Sequence, residues 1–189
     1  MAKVWPNSTI YAFEPAPDLF VELCKKTAEY PLIHCYQLAL SNKESTETFY
    51  VSSGASTAAS SLLEPYTYLT ERPEVHFSPS KVHTTTLDLW TARSKVPKVD
   101  FLWFDMQGGE LAALEGSRSL LPHLTALVVE VNLTERFKGA PSYEDMLHWA
   151  HTHSFTALLQ DVPKHNKINI LLVASAHPFH ATPTKSFKL

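Results

Sequence analysis

Glycine is scarce and comes late. The 189 residues hold five glycines, and the first is Gly54. That excludes a dinucleotide fingerprint near the amino end, because Gly-x-Gly-x-x-Gly must join an early strand to its helix. Cysteine is scarcer still, with Cys24 and Cys35 the only two. Their spacing suits no zinc site, and such a pair reads as reduced thiols in a cytosolic core. No apolar run approaches the roughly 20 residues of a membrane helix. No apolar h-region follows Met1, so neither a membrane span nor a secretory leader is expected. Charge of one sign never forms a block: 16 Lys and Arg face 19 Asp and Glu, for a net charge of −3. That disfavours nucleic acid and anionic membranes as partners. The last residues, Ser186-Phe187-Lys188-Leu189, place Phe187 where a peroxisomal address needs a small side chain, so the expected compartment is the cytoplasm.

What is present suits one α/β domain over residues 1–189, with a long loop at 53–80 and a tail at 176–189. Hydrophobic residues make up 44% of the chain, enough for a sizeable core. Strand-like and helix-like segments alternate, which predicts a mainly parallel sheet with helices on its faces. Ile10-Tyr11-Ala12-Phe13 reads as a strand that ends in Glu14-Pro15. A helix follows with Leu19, Phe20, Leu23, Cys24 and Thr27 on one face, and Pro31 ends it. Leu32 to Leu40 reads as a strand, as does Thr46 to Ser52. Lys81 to Thr86 is extended and runs into a short helix from Leu87 to Ala92. Val99 to Phe104, apolar apart from Asp100, reads as a buried strand covered on both faces. It ends in Asp105-Met106-Gln107-Gly108-Gly109, with Glu110 opening a helix. Thr125 to Val131 is a second buried strand. Ser142 and Asp145 form a capping-box pattern. Phe155 to Asp161 and Lys167 to Ala174 are strands whose short link demands antiparallel pairing.

Three acids end strands. Glu14 could hold a ribose diol, or simply favour a helix amino end. Asp105 closes the apolar run Phe101 to Phe104, where a carboxylate is desolvated unless it meets a cation or donors. The glycines after it suggest close approach to a ligand more than a helix cap. Glu130 closes the next strand, so Glu14, Asp105 and Glu130 are expected to cluster at one edge. Such acids could orient a hydroxyl, take a proton or favour a cation, or form an ion pair. His83 is a further candidate, and Ser56-Thr57 and Ser60-Ser61 could contact a ligand. His148, His151 and His153 lack a completing ligand, and no metal is expected.

Together these residues resemble the FkbM-type family of S-adenosylmethionine-dependent methyltransferases. The blocks are Ile10 to Pro15, Leu38 to Asn42, Val99 to Leu111 with Leu114 and Gly116, and Val128 to Val131 followed by Phe137 to Tyr143. In order they cover Trp5 to about Ala174. The resemblance implies a Rossmann-like class I methyltransferase sheet, strand order 3-2-1-4-5-7-6, with its last strand antiparallel. It implies S-adenosylmethionine as cofactor, with Glu14 at the ribose and Ala39, Leu40, Ser41 and Asn42 near the adenine. Asp105 and Gln107 would face the methionine end or the acceptor. The implied reaction is O-methyl transfer to a hydroxyl of a small molecule or sugar. Asp105 is the candidate base, with Glu130 and His83 behind it. The family's first strand and its Asp-x-Gly-x-x-x-Gly-like loop should precede Trp5, and the sequence does not contain them.

Three explanations stand: a start downstream of that strand, a degenerate relative, or another segment in the slot. Weak cofactor binding is expected, with self-association through exposed sheet edges. Three functions compete: an O-methyltransferase, a non-catalytic remnant that binds or scaffolds, and a sugar-nucleotide- or NAD-binding α/β protein. The missing glycine fingerprint counts against the third.

Overall fold

The structure is a computed structural model that describes residues 3–176. The tail from 177, including the Ser186 to Leu189 segment, lies outside the described residues. The chain opens with a parallel β-α-β unit: β1 Ile10–Phe13, α1 Pro17–Thr27 and β2 Ile33–Tyr36. β1 and β2 pair from Ile10↔Ile33 to Phe13↔Tyr36. Pro17 occupies the start of α1, where its missing N–H costs nothing. Asp18 lies in the first turn of α1, and Lys25 and Lys26 in the last, as the helix dipole favours.

The expected single strand from Leu32 to Leu40 is two strands. The chain leaves β2 after Tyr36, and β3 Ala39–Leu40 joins a different sheet, parallel to the end of β5 Val75–Thr85. β4 Ser45–Gly54 pairs antiparallel with β5 from Ser45↔Thr84 to Gly54↔Val75. The expected loop over 53–80 is therefore shorter, because Val75 to Ser80 belong to β5. Pro79 hides this strand from sequence reading. It is tolerated because β3 covers only Thr84 and Thr85, which leaves Pro79 on a free edge. The remaining connection holds α2 Tyr68–Glu71 and an isolated bridge, Tyr50↔Ser61.

α3 Leu87–Ser94 is capped by Thr86, whose hydroxyl accepts from Leu89 N at 3.1 Å. β6 Phe101–Phe104, α4 Glu110–Glu115 and β7 Ala126–Asn132 form a second parallel unit. α5 Tyr143–Thr152 starts with the expected capping box between Ser142 and Asp145. β8 Phe155–Gln160 and β9 Lys167–Ala174 are antiparallel, as their short link requires. β9 sits between β7 and β8, giving the order β6-β7-β9-β8. Leu127, Val129, Ile170 and Leu172 from its inner strands are fully buried, with Trp90 of α3 and Met146 of α5 in the same core.

Gly116 sets how closely α4 meets the turn after β3. A Cβ there would lie 2.2 Å from Ser41 O and 3.1 Å from Thr86 Cβ. Ser41 cannot withdraw, because its N–H donates to Thr85 O at 2.9 Å. Gly116→Ala is expected to destabilise the fold by about 1–3 kcal/mol. Thermal unfolding should show Tm falling by several degrees, and an unchanged Tm would refute the close approach.

Candidate functional site

β1 and β6 are edges of different sheets, and both line a groove of about 1260 Å³. At their amino ends Trp5 packs on Phe101, with ring centroids 5.5 Å apart. At their carboxyl ends stand Glu14 and Asp105. The walls carry backbone groups turned inward. Ile10 N donates to Leu32 O and Glu14 N to Tyr36 O, so β1 gives residues 10, 12 and 14 to β2. Alternation then turns the N–H and C=O of Tyr11 and Phe13 toward the groove. Asp100 O accepts from Thr125 N, so by the same rule Phe101 and Trp103 of β6 face the groove. The burial agrees: every residue of β1 is only half buried, and Trp103 is 51% exposed.

Glu14 Oε1 accepts from Ala16 N at 2.8 Å, which fixes the carboxylate at the start of α1. Its Oε2 has no hydrogen bond among the described residues. Burial raises its pKa, and the Ala16 N–H partly offsets this. Ala39 and Leu40 line the groove near Glu14. Ser41 and Asn42 do not line it. Ser41 is buried against Thr85, and Asn42 Nδ2 donates to Glu115 Oε2 at 3.0 Å.

Asp105 and Glu130 are joined by one amide. Gln107 Nε2 donates to Asp105 Oδ1 at 2.5 Å and to Glu130 Oε1 at 2.9 Å. Lys167 Nζ, from the start of β9, donates to Gln107 Oε1 at 2.8 Å and Glu130 Oε1 at 2.6 Å. Burial first, and the Glu130 charge second, push Asp105 up to about 6, with Lys167 and Gln107 pulling the other way. A carboxylate with such a value can take a proton near neutral pH. The expected clustering of strand-end acids therefore holds for Asp105 and Glu130, and Glu14 shares the groove with Asp105.

Gln107 has φ +55, a strained backbone for a side-chain-bearing residue. Ser61 helps hold it, donating from Oγ to Gln107 O at 2.9 Å. Ser61 is fully buried and serves the scaffold, whereas Ser60 and Thr57 line the groove. Gly108 has φ +104, and an added Cβ would meet Ala140 Cβ at 2.9 Å and Leu63 Cδ1 at 3.0 Å. Its close approach is thus to the protein's own side chains, where the sequence suggested a ligand.

His83 stands apart from the groove. It lies on the exposed side of β5, its Nδ1 3.2 Å from Thr46 Oγ1, and it does not line the groove. Among the α5 histidines, His153 stacks on Trp149 at 4.5 Å between centroids, and His148 and His151 are exposed. Sequence reading missed Lys167 and Glu110. A lone lysine opening a strand carries no local signal, and only the antiparallel register opposite Asn132 brings it to the site.

Glu110 is buried, and its oxygens accept from Met106 N at 2.8 Å and Gly108 N at 3.0 Å, closing the turn beneath Asp105. Burial raises its pKa from 4.5 to about 7. The folded state therefore holds a proton that the unfolded chain has lost across that window. Stability is highest below pH 4.5 for this group and falls as pH rises to about 7, by about 3 kcal/mol. Urea unfolding at pH 5 and pH 8 should show the loss, and Glu110→Gln should flatten it. An equal slope in the variant would assign the effect elsewhere.

The Methyltransferase FkbM domain matches residues 1–157. The chain is 24% identical over 140 residues to the 2-O-methyltransferase NoeI of Sinorhizobium fredii (strain NBRC 101917 / NGR234), covering 71% of this chain and 58% of that protein. It thus spans less than two thirds of that relative's length. No solved structure matches it. The matched residues include β1 with Glu14, β6 with Asp105 and β7 with Glu130, and the chain belongs to the FkbM methyltransferase family.

Proposed function

We propose that this chain is an S-adenosylmethionine-dependent O-methyltransferase acting on a hydroxyl of a sugar or small molecule. The observation that carries the reading is one groove with a free Glu14 oxygen at one wall and a proton-accepting Asp105 at the other, both at strand carboxyl ends. The relative named above acts as a 2-O-methyltransferase, which supports a hydroxyl acceptor.

In this reading the chain is one domain over 1–189, cytoplasmic, with a class I methyltransferase sheet. The first two sheets and the four-stranded sheet are its two halves, and the groove between β1 and β6 is the place of its first strand. No helix among the described residues is long and apolar enough to cross a membrane. S-adenosylmethionine supplies an electrophilic methyl group when bound. Glu14 would hold its ribose, and Ala39 and Leu40 would flank the adenine. Pockets for small ligands usually measure about 300–1,000 Å³, so this groove has room for a cofactor and more. Asp105 would accept the acceptor's hydroxyl proton while the groove walls hold the oxygen at about 3–3.5 Å from the methyl carbon. Glu130 and Gln107 hold Asp105 in place.

The breadth of the same groove favours a second reading, a non-catalytic relative that binds without transferring. Labelled methyl transfer from S-adenosylmethionine to a panel of oligosaccharides with free hydroxyls separates the two. The first reading expects label recovered as a methyl ether. Cofactor binding without label on any hydroxyl would favour the second.

A further inference from the structure

We propose that Lys167 is a positioning residue. Its ammonium turns the Gln107 amide and pairs directly with Glu130, which leaves Asp105, tied only to that amide, as the member of the acid pair that takes the acceptor's proton. This rests on the methyltransferase reading given above, in which Asp105 is the base.

The argument begins with the Gln107 side chain. An amide offers one acceptor oxygen and one NH2 group. Lys167 Nζ lies 2.8 Å from Oε1, so the oxygen must face the ammonium. The NH2 group then faces Asp105 Oδ1 and Glu130 Oε1. The reversed amide would set its oxygen against two carboxylates and its N–H groups against an ammonium. The network therefore dictates one orientation.

The two acids are not equivalent. Glu130 Oε1 receives both Lys167 Nζ, at 2.6 Å, and Gln107 Nε2. Among the described residues the amide of Gln107 is the side-chain donor to Asp105, with Glu130 itself within hydrogen-bond reach and no cation in contact. The Lys167 and Glu130 side chains are 19% and 15% exposed, so water screens their attraction weakly. For Asp105 the neighbouring Glu130 raises the pKa and the Lys167 ammonium lowers it, so removing the ammonium leaves the rise unopposed. The charged groups facing Asp105 are Glu130 on β7, Lys167 on β9 and Glu110 on α4, the last tied to the backbone below. Lys167 lies 60 residues from Gln107 in sequence, so the link is a product of the fold alone.

The test is a carbon-13 titration of the Asp105 carboxyl together with the Gln107 side-chain N–H resonances, without cofactor or acceptor. It stays informative even where methyl transfer is absent. In the native protein the Asp105 midpoint should lie near 6. Lys167→Met should raise it by roughly one pH unit and shift the Gln107 N–H resonances as the amide loses its anchor. Lys167→Arg should restore both. If Lys167→Met does not fold, Lys167→Gln keeps a donor without the charge and should give the same rise. An unchanged Asp105 midpoint with unmoved Gln107 resonances in a folded variant would overturn the proposal. In active enzyme, the acidic limb of kcat should move with the midpoint. A moved midpoint without any methyl transfer would uphold the network and count against the methyltransferase reading alone.

Discussion

Adding a strand and a glycine turn ahead of Met1 should tighten S-adenosylmethionine binding roughly a hundredfold over the 189-residue chain. The open groove gives the reason. Tyr11 and Phe13 on one side, and Phe101 and Trp103 on the other, turn backbone groups toward a space that no described strand fills. A strand seated there would satisfy both ladders and bring its following turn to Glu14 and Asp105. Glycines in that turn let backbone N–H groups reach the ligand without side chains intervening. About three such hydrogen bonds, at about 1 kcal/mol net each, give about 3 kcal/mol. Calorimetry on the two chains checks this. Micromolar binding at one site by the 189-residue chain would show that the cradle is complete without the added segment. The same extension should reduce concentration-dependent association in sedimentation velocity, because unpaired strand edges recruit other edges. Association of equal strength in both chains would remove the edges as its cause.

Asp105→Asn is expected to lower kcat for methyl transfer by about 10²–10⁴, the usual share of a positioned base. The substitution keeps the size of the side chain and an oxygen for Gln107, so cofactor affinity should change little. What is lost is the proton acceptor with a pKa near 6. The native enzyme should lose activity as pH falls through that value, because protonation occupies the same oxygen. A variant that retains kcat within threefold would remove Asp105 from the chemistry and leave it a structural acid. Glu130→Gln should cost less, because Glu130 acts on the base Asp105 and does not itself take the proton.

Much of this was legible in the sequence where short-range physics decides. The apolar run before Asp105 marks a strand, and β6 is that strand, but only Leu102 and Phe104 are buried while Trp103 on the other face is 51% exposed. The link between Asp161 and Lys167 has no room for a helix, so β8 and β9 had to be antiparallel. The spacing of Ser142 and Asp145 fixed the start of α5. Illegible parts depended on contacts far apart in the chain. Nothing local tells that the apolar stretch from Leu32 to Leu40 serves two sheets, or that Pro79 sits on a free edge. Nor does anything local tell that the side of β5 carrying His83 is exposed. Ser41 and Asn42 sit at a strand end as the family pattern suggests, but their bonds to Thr85 and Glu115 depend on distant parts of the chain. Lys167 reached the site only through the β7–β9 register.

The central claim is that ligand binds where the carboxyl ends of β1 and β6 meet. A nitrogen-15 labelled chain titrated with S-adenosylmethionine to millimolar concentration tests it directly, because amide shifts report even weak binding. The account predicts that amides of Glu14, Ala39, Leu40, Asp105, Met106 and Gln107 move together along one saturating curve. Shifts absent from these residues, or gathered instead around His83 or α5, would contradict it.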